Sequence, residues 1–141
     1  MVKMSNKKIL LVDDDPNVRK GMHVRLTANH YDTFFAADAI AAMAEARKHQ
    51  PDLIILDLGL PGGDGLVVMQ WLKAIPALAL IPIIVVSARD IRANQHRVLK
   101  AGAKAFLQKP VDNSEFFAVI RCALGDPALP NESVVYDLGM A

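Results

Sequence analysis

The sequence predicts an α/β fold built on a parallel sheet, and three observations predict it. Four short apolar runs and a less regular fifth strand candidate alternate with five longer stretches that carry helix signals. The runs are continuously apolar rather than alternating, the pattern of strands buried on both faces. Strict strand–helix alternation then calls for right-handed crossovers between parallel neighbours.

Each element has its own signal. Ile9-Leu10-Leu11-Val12 is the first strand and ends in acid. Asp15-Pro16 reads as an N-cap followed by proline at the first helical position, opening a helix to about Asn29. Tyr31 to Ala36 is a less regular strand, placed at a sheet edge. Asp38 caps an alanine-rich helix ending near His49, before Pro51. Leu53 to Leu56 is the third strand and again meets acid, at Asp57. The third helix follows Gly62-Gly63-Asp64-Gly65, runs through Trp71 to Ile75 and stops at Pro76. Ile81 to Val86 ends at Ser87 as the fourth strand, and a helix covers about Asp90 to Lys100 before Gly102. Ala105-Phe106-Leu107 is the fifth strand. The last helix begins at Asp112, with Glu115 at capping-box spacing, and ends near Gly125. Residues 126–141 contain Pro127 and Pro130 without a helical or strand period and read as a tail or the start of a linker.

Composition narrows the function classes. At 141 residues and 52% hydrophobic content, one domain can bury a core without disulfide or metal staples. Sixteen basic against fifteen acidic residues argue against nucleic-acid binding by bulk charge. Cys122 is the single cysteine, which rules out an internal disulfide and a cysteine-based zinc site and fits the cytoplasm. Cys122 is expected in the core. His23, His30, His49 and His96 share no ligand spacing and are expected at the surface. Arg89, Arg92 and Arg97 read mainly as a solvated face. The longest apolar stretch, Ala74 to Val86, is broken by Pro76 and Pro82 and falls short of a membrane span.

In a parallel α/β sheet, ligands bind beyond the carboxyl ends of the strands. The residues there are Asp13 and Asp14, Asp57, Ser87, and Lys109 with Pro110. Three acids, a hydroxyl and an ammonium thus meet at one edge. Two unit charges 4 Å apart interact by roughly 4 kcal/mol at an effective dielectric of 20, so three ionised carboxylates need cations. Lys109 can supply one. Magnesium suits the remainder, because it takes one or two carboxylates, keeps waters and accepts phosphate oxygens. Such a set matches phosphoryl transfer to a carboxylate nucleophile.

With these residues in place, the chain resembles the receiver domain of two-component response regulators. The matching stretches are Ile9 to Asp15; Asp52 to Leu58 with Pro61 and Asp64-Gly65; Pro82 to Ala88; and Gly102 to Pro110. Their order and spacing cover 9 to 110, and the whole resemblance covers 7–125. It implies a flavodoxin-like (βα)5 fold with sheet order 2-1-3-4-5 and helices on both faces. It implies Asp57 as phosphoacceptor, and Mg2+, or another divalent cation such as Mn2+, held by Asp13, Asp14, Asp57 and the Gly59 carbonyl. Ser87 and Lys109 would contact the phosphoryl group. Ser87 and Phe106 would form the switch, and Pro110 would follow a cis bond. The implied partners are a histidine kinase or a histidine phosphotransfer protein and an unidentified downstream effector, without direct nucleic-acid or membrane binding. The surface of the fourth helix, fifth strand and fifth helix would switch, with room for a homodimer through it. The chain would modify only itself, as a cytoplasmic signalling protein rather than an enzyme in the usual sense.

Three other readings compete. A receiver-like binding module without phosphorylation is disfavoured by the intact acid, hydroxyl and lysine set. A flavin- or nucleotide-binding domain would need a glycine-rich loop where Asp13-Asp14-Asp15 stands. An aspartyl-nucleophile hydrolase lacks a second acid two residues after Asp57, where Gly59 stands. Against the usual receiver pattern, Phe106 lacks the hydroxyl of the frequent tyrosine, and Gly63 replaces a larger apolar residue.

Overall fold

A computed structural model describes residues 6–60, 65–88 and 90–125, together with their packing. Five strands, β1 (Lys8–Val12), β2 (Asp32–Ala36), β3 (Leu53–Leu56), β4 (Ile83–Ser87) and β5 (Ala105–Gln108), alternate with five helices. The helices are α1 (Pro16–Ala28), α2 (Ala39–His49), α3 (Gly65–Ala74), α4 (Ile91–Lys100) and α5 (Asn113–Ala123). The strands form one parallel sheet in the order β2-β1-β3-β4-β5.

The continuous apolar runs are divided residue by residue between two cores. Ile9, Leu11, Ile55, Ile84 and Leu107 point to one face, where Met22 and Leu26 of α1 and Phe116, Val119 and Ile120 of α5 cover them. Leu10, Val12, Ile54, Val85 and Phe106 point to the other, beneath α2, α3 and α4. A strand buried on both sides has no polar register to keep, which is why it shows no alternation.

The caps predicted at Asp15, Asp38 and Asp112 close their helices, and Asp90 adds a fourth beyond those predicted. Asp15, Asp38, Asp90 and Asp112 accept from the backbone amides of Asn17, Ala41, Arg92 and Glu115. Each satisfies an amide that has no partner inside its helix. β4 begins two residues later than expected. The Ile81 amide is spent on the Leu78 carbonyl in a turn, and Pro82 has no amide to give. Pro82 offers only its carbonyl, to the Ile54 amide, so the strand starts at Ile83 and extends to Ser87.

Three expectations about burial change. Cys122 is half-buried rather than in the core. His49 is also partly covered, stacking on Phe34 with ring centroids 3.7 Å apart and pairing with Glu45 at 3.0 Å. His23 lies edge-on to Phe35 and hydrogen-bonds Thr33. Phe34 and Phe35 belong to an edge strand, so these rings provide cover that a further strand would otherwise supply. The expected loop 62–64, Pro61, Arg89 and the tail 126–141 lie outside the described residues. Among the described residues, no helix is long and apolar enough to cross a membrane.

Candidate functional site

The carboxyl edge of the sheet brings the acids together because adjacent strands end in register. Val12 pairs with Leu56, and the Asp57 amide donates to the Val12 carbonyl at 2.9 Å. Asp13 and Asp57 therefore leave neighbouring strands at the same height. Carboxylate oxygens of Asp13, Asp14 and Asp57 all lie within 4.8 Å of one another. Asp13 is buried, Asp57 is half-buried and Asp14 is exposed, so the cluster opens to solvent on the Asp14 side.

Asp13 is the most tightly held of the three. One oxygen, Oδ1, accepts from the Asp15 amide at 2.9 Å. The other, Oδ2, accepts from Lys109 Nζ at 2.7 Å. Its carbonyl accepts from Arg19 Nη1, also at 2.7 Å. Asp57 is held more loosely. Its Oδ1 accepts from the Gly59 amide at 3.2 Å, and its Oδ2 lies 3.6 Å from Lys109 Nζ.

Lys109 reaches the acids from the end of β5. Its amide donates to the Ser87 carbonyl at 2.8 Å, tying the ends of β4 and β5, and the Lys109–Pro110 peptide bond is cis. Burial opposes its charge. The hydrogen bond to Asp13 and the charges of Asp57 and Asp13 outweigh that opposition, so the ammonium is held above its ordinary pKa. Ser87 is buried at the last position of β4. Phe106 is fully buried on β5, directly opposite Val85.

Gly59 and Gly65 complete the surroundings of Asp57. A side chain at Gly59 would stand 4.0 Å from both Asp57 carboxylate oxygens, so this exposed turn borders the carboxylate without crowding it. Gly65 is different. A Cβ there would lie 2.6 Å from the Asp57 carbonyl oxygen and 2.9 Å from Leu58 Cα. The start of α3 is thus packed directly under the backbone of Asp57, and only glycine permits that approach.

The structure brings Asp13, Asp14, Asp57 and Lys109 together, with Gly59 beside Asp57, Ser87 at the end of β4 and Pro110 after the cis bond, whereas Phe106 is buried in the core beneath α2, α3 and α4. Two contributions were not legible in the sequence. Arg19 braces the Asp13 carbonyl from the first turns of α1, a contact that no spacing rule announces. Gly65 was noted only as part of a motif, and its close approach needs coordinates to be seen.

The donor set fits a hard divalent cation. It is all oxygen, carries three negative charges against one lysine, and opens to solvent on one side. A half-buried carboxylate beside a lysine and a metal-competent acid pair is equipped to accept a phosphoryl group.

Comparison with known proteins agrees with this arrangement. The family description "Response regulator receiver domain" matches residues 9–121. The response regulator PleD of Caulobacter vibrioides is 40% identical over 115 residues, which are 81% of this chain but 25% of PleD. The chain thus spans about a quarter of the length of that relative. The polar-differentiation response regulator DivK of Brucella anthropi is 33% identical over 120 residues, covering 85% of this chain and 98% of DivK. Among solved structures, a putative response regulator from Chloroflexus aurantiacus superposes with a TM-score of 0.81 at 30% identity, over 86% of this chain and 99% of that one. The receiver domain of the sensor histidine kinase PA1611 from Pseudomonas aeruginosa, solved with magnesium in its active-site cleft, gives 0.79 at 27% identity over 86% and 99%. From sheet order, acid cluster and relatives together, the chain belongs to the response regulator receiver domain family.

Proposed function

We propose that this chain is a phosphorylation switch in which Asp57 accepts a phosphoryl group from a phosphohistidine. The observation that carries the reading is the convergence of Asp13, Asp14 and Asp57 with Lys109 at one open edge. Asp13, Asp14, Asp57 and the Gly59 carbonyl would hold Mg2+ or a similar cation. When bound, it supplies positive charge to the phosphoryl oxygens. A carboxylate oxygen of Asp57 forms the new P–O bond as the donor's P–N bond breaks, and that electron pair stays on the imidazole nitrogen. Lys109, held protonated by Asp13, offsets charge on the transferring group. Ser87 donates to a phosphoryl oxygen, and the aspartyl phosphate is later hydrolysed. The chain acts on itself alone and is in that sense not an enzyme.

Phosphorylation adds about −1.5 to −2 charge and new acceptor oxygens. Drawing Ser87 and Lys109 toward them opens space near Phe106 and reshapes the α4–β5–α5 surface, where an effector or a second copy would bind. The reshaping biases conformations already accessible to the chain. The donor is a histidine kinase or a histidine phosphotransfer protein. A groove of about 540 Å³ beside Lys109, lined by Val18, Gly21, Met22, Arg25, Pro110 and Val111 among others, offers it a mainly apolar seat. The lone Cys122 fits a reducing cytoplasm as the place of the reaction. We take 7–125 as the switching unit and 126–141 as a tail or linker.

Intact mass after incubation with magnesium and a small phosphodonor tests the reading, with Asp57→Asn in parallel. One phosphoryl group gained by the parent and none by the variant is the expected result. No gain under excess donor and metal would overturn it in favour of a binding module of the same fold.

A further inference from the structure

The outward face of α4 is basic and has no acid of its own. Arg92, His96 and Lys100 are exposed at successive four-residue steps and line a groove of about 410 Å³ with Gln95 and Leu99. No aspartate or glutamate occurs from residue 91 to residue 111. Stabilising i,i+4 ion pairs are therefore excluded on this helix. Arg92 stands near the N-terminal end, where the helix dipole disfavours a cation. Just past the helix, Lys104 adds to the field, and burial together with that charge holds the Lys73 ammonium below its ordinary pKa. A face of this kind calls for an anionic occupant.

The chain itself carries a matching segment. All sixteen lysines and arginines precede residue 126, whereas Asp126, Glu132 and Asp137 follow Gly125. Between and beside these acids lie Val134, Val135, Tyr136 and Leu138, apolar enough to cover Leu99 and the lysine and arginine stems. We propose that the segment 126–141 docks, within the same chain, on the basic face of α4.

The lengths allow it. Segment 126–141 follows the end of α5, which lies across the sheet from α4 beside the edge strand β5. Passing that edge takes about 20 Å, two layer spacings of ~10 Å. Glu132 is nine residues beyond Ala123 and reaches up to about 30 Å. Glu132 and Asp137 span up to about 17 Å when extended, enough to cover the roughly 12 Å of helix axis from Arg92 to Lys100. Tethering puts the segment at an effective concentration on the order of millimolar, so each contact need only be weak. Docking of this kind needs neither metal nor phosphorylation.

The test is therefore run without metal or phosphodonor. A nitroxide is attached at Ser133→Cys in the full chain carrying Cys122→Ala, and amide broadening is read by 15N NMR. The expected result is loss of at least about half the intensity for amides between Arg92 and Lys100, independent of protein concentration. The loss should be reversed in Glu132→Lys/Asp137→Lys and in high salt. Broadening that is absent, centred on another surface, or seen only when labelled and 15N chains are mixed would overturn the proposal, the last outcome pointing to a second copy. A cysteine-free check compares the parent with the double charge reversal. Shift changes confined to α4 are expected, and unchanged α4 shifts would count against docking.

Discussion

Lys109 Nζ lies 2.7 Å from Asp13 Oδ2 and 3.6 Å from Asp57 Oδ2. The lysine is thus hydrogen-bonded to the buried acid and only near the half-buried one. Asp13 fixes where the ammonium sits, and Asp57 keeps an oxygen less committed. On the proposed function that asymmetry favours Asp57 as the acceptor, because its attacking oxygen need not first break a short ion pair.

Removing the cation leaves three carboxylates within 4.8 Å of one another. Lys109→Gln is expected to destabilise the metal-free protein by about 1–3 kcal/mol, less than the ~3–5 for a fully buried pair because the lysine is partly solvated. Magnesium should recover part of the loss, since it supplies the missing positive charge. Urea unfolding of parent and variant, with and without magnesium, measures both effects. Equal stability of the two metal-free proteins would contradict this account of the site.

The raised pKa of Lys109 sets a direction for pH dependence. Its stabilisation is fully present below the unfolded-state value of about 10.4 and is lost as pH rises through the higher folded value. Lys73 shifts the opposite way, so the parent's profile alone mixes the two. The difference between parent and Lys109→Gln isolates the site. That difference should be flat from about pH 7 to 9 and should shrink above about 10.4. Urea midpoints across this range check it.

Much of this architecture was legible because burial on both faces leaves an unmistakable mark. Runs such as Leu53 to Leu56 are apolar at every position, and the Asp13, Asp57 and Ser87 that end three of them and the Lys109 beyond a fourth mark the candidate edge. Strand ends were less legible. The start of β4 depends on which partner the Ile81 amide finds, a turn carbonyl rather than a neighbouring strand. Contacts between distant elements were not legible at all. Arg19 on the Asp13 carbonyl and His49 on Phe34 arise only after helices and strands are docked.

Asp14 is the solvent-facing member of the acid cluster, while Asp13 is already engaged by Lys109 and the Asp15 amide. Asp14→Asn should therefore weaken magnesium binding by at least about tenfold, or ~1.4 kcal/mol, with little change in fold. Isothermal titration with magnesium reads this directly. An unchanged titration would remove Asp14 from the metal assignment.

Two glycines should respond to alanine in opposite ways. Gly21 lies within α1, and an added Cβ meets nothing within 4 Å. Gly21→Ala should therefore stabilise by about 0.5–1 kcal/mol, the usual gain of alanine over glycine in a helix. Gly65 begins α3, and its added Cβ would meet the Asp57 carbonyl at 2.6 Å and Leu58 Cα at 2.9 Å. Those neighbours are backbone and can yield only by moving the strand end that carries Asp57. Gly65→Ala should cost about 1–3 kcal/mol, as overpacking does, and should also slow phosphorylation by displacing the carboxylate. Urea unfolding and the rate of mass gain from a small phosphodonor separate the two effects. If Gly65→Ala lost stability yet kept the parental rate, the contact would be structural only, and Asp57 would be positioned by its link to Val12.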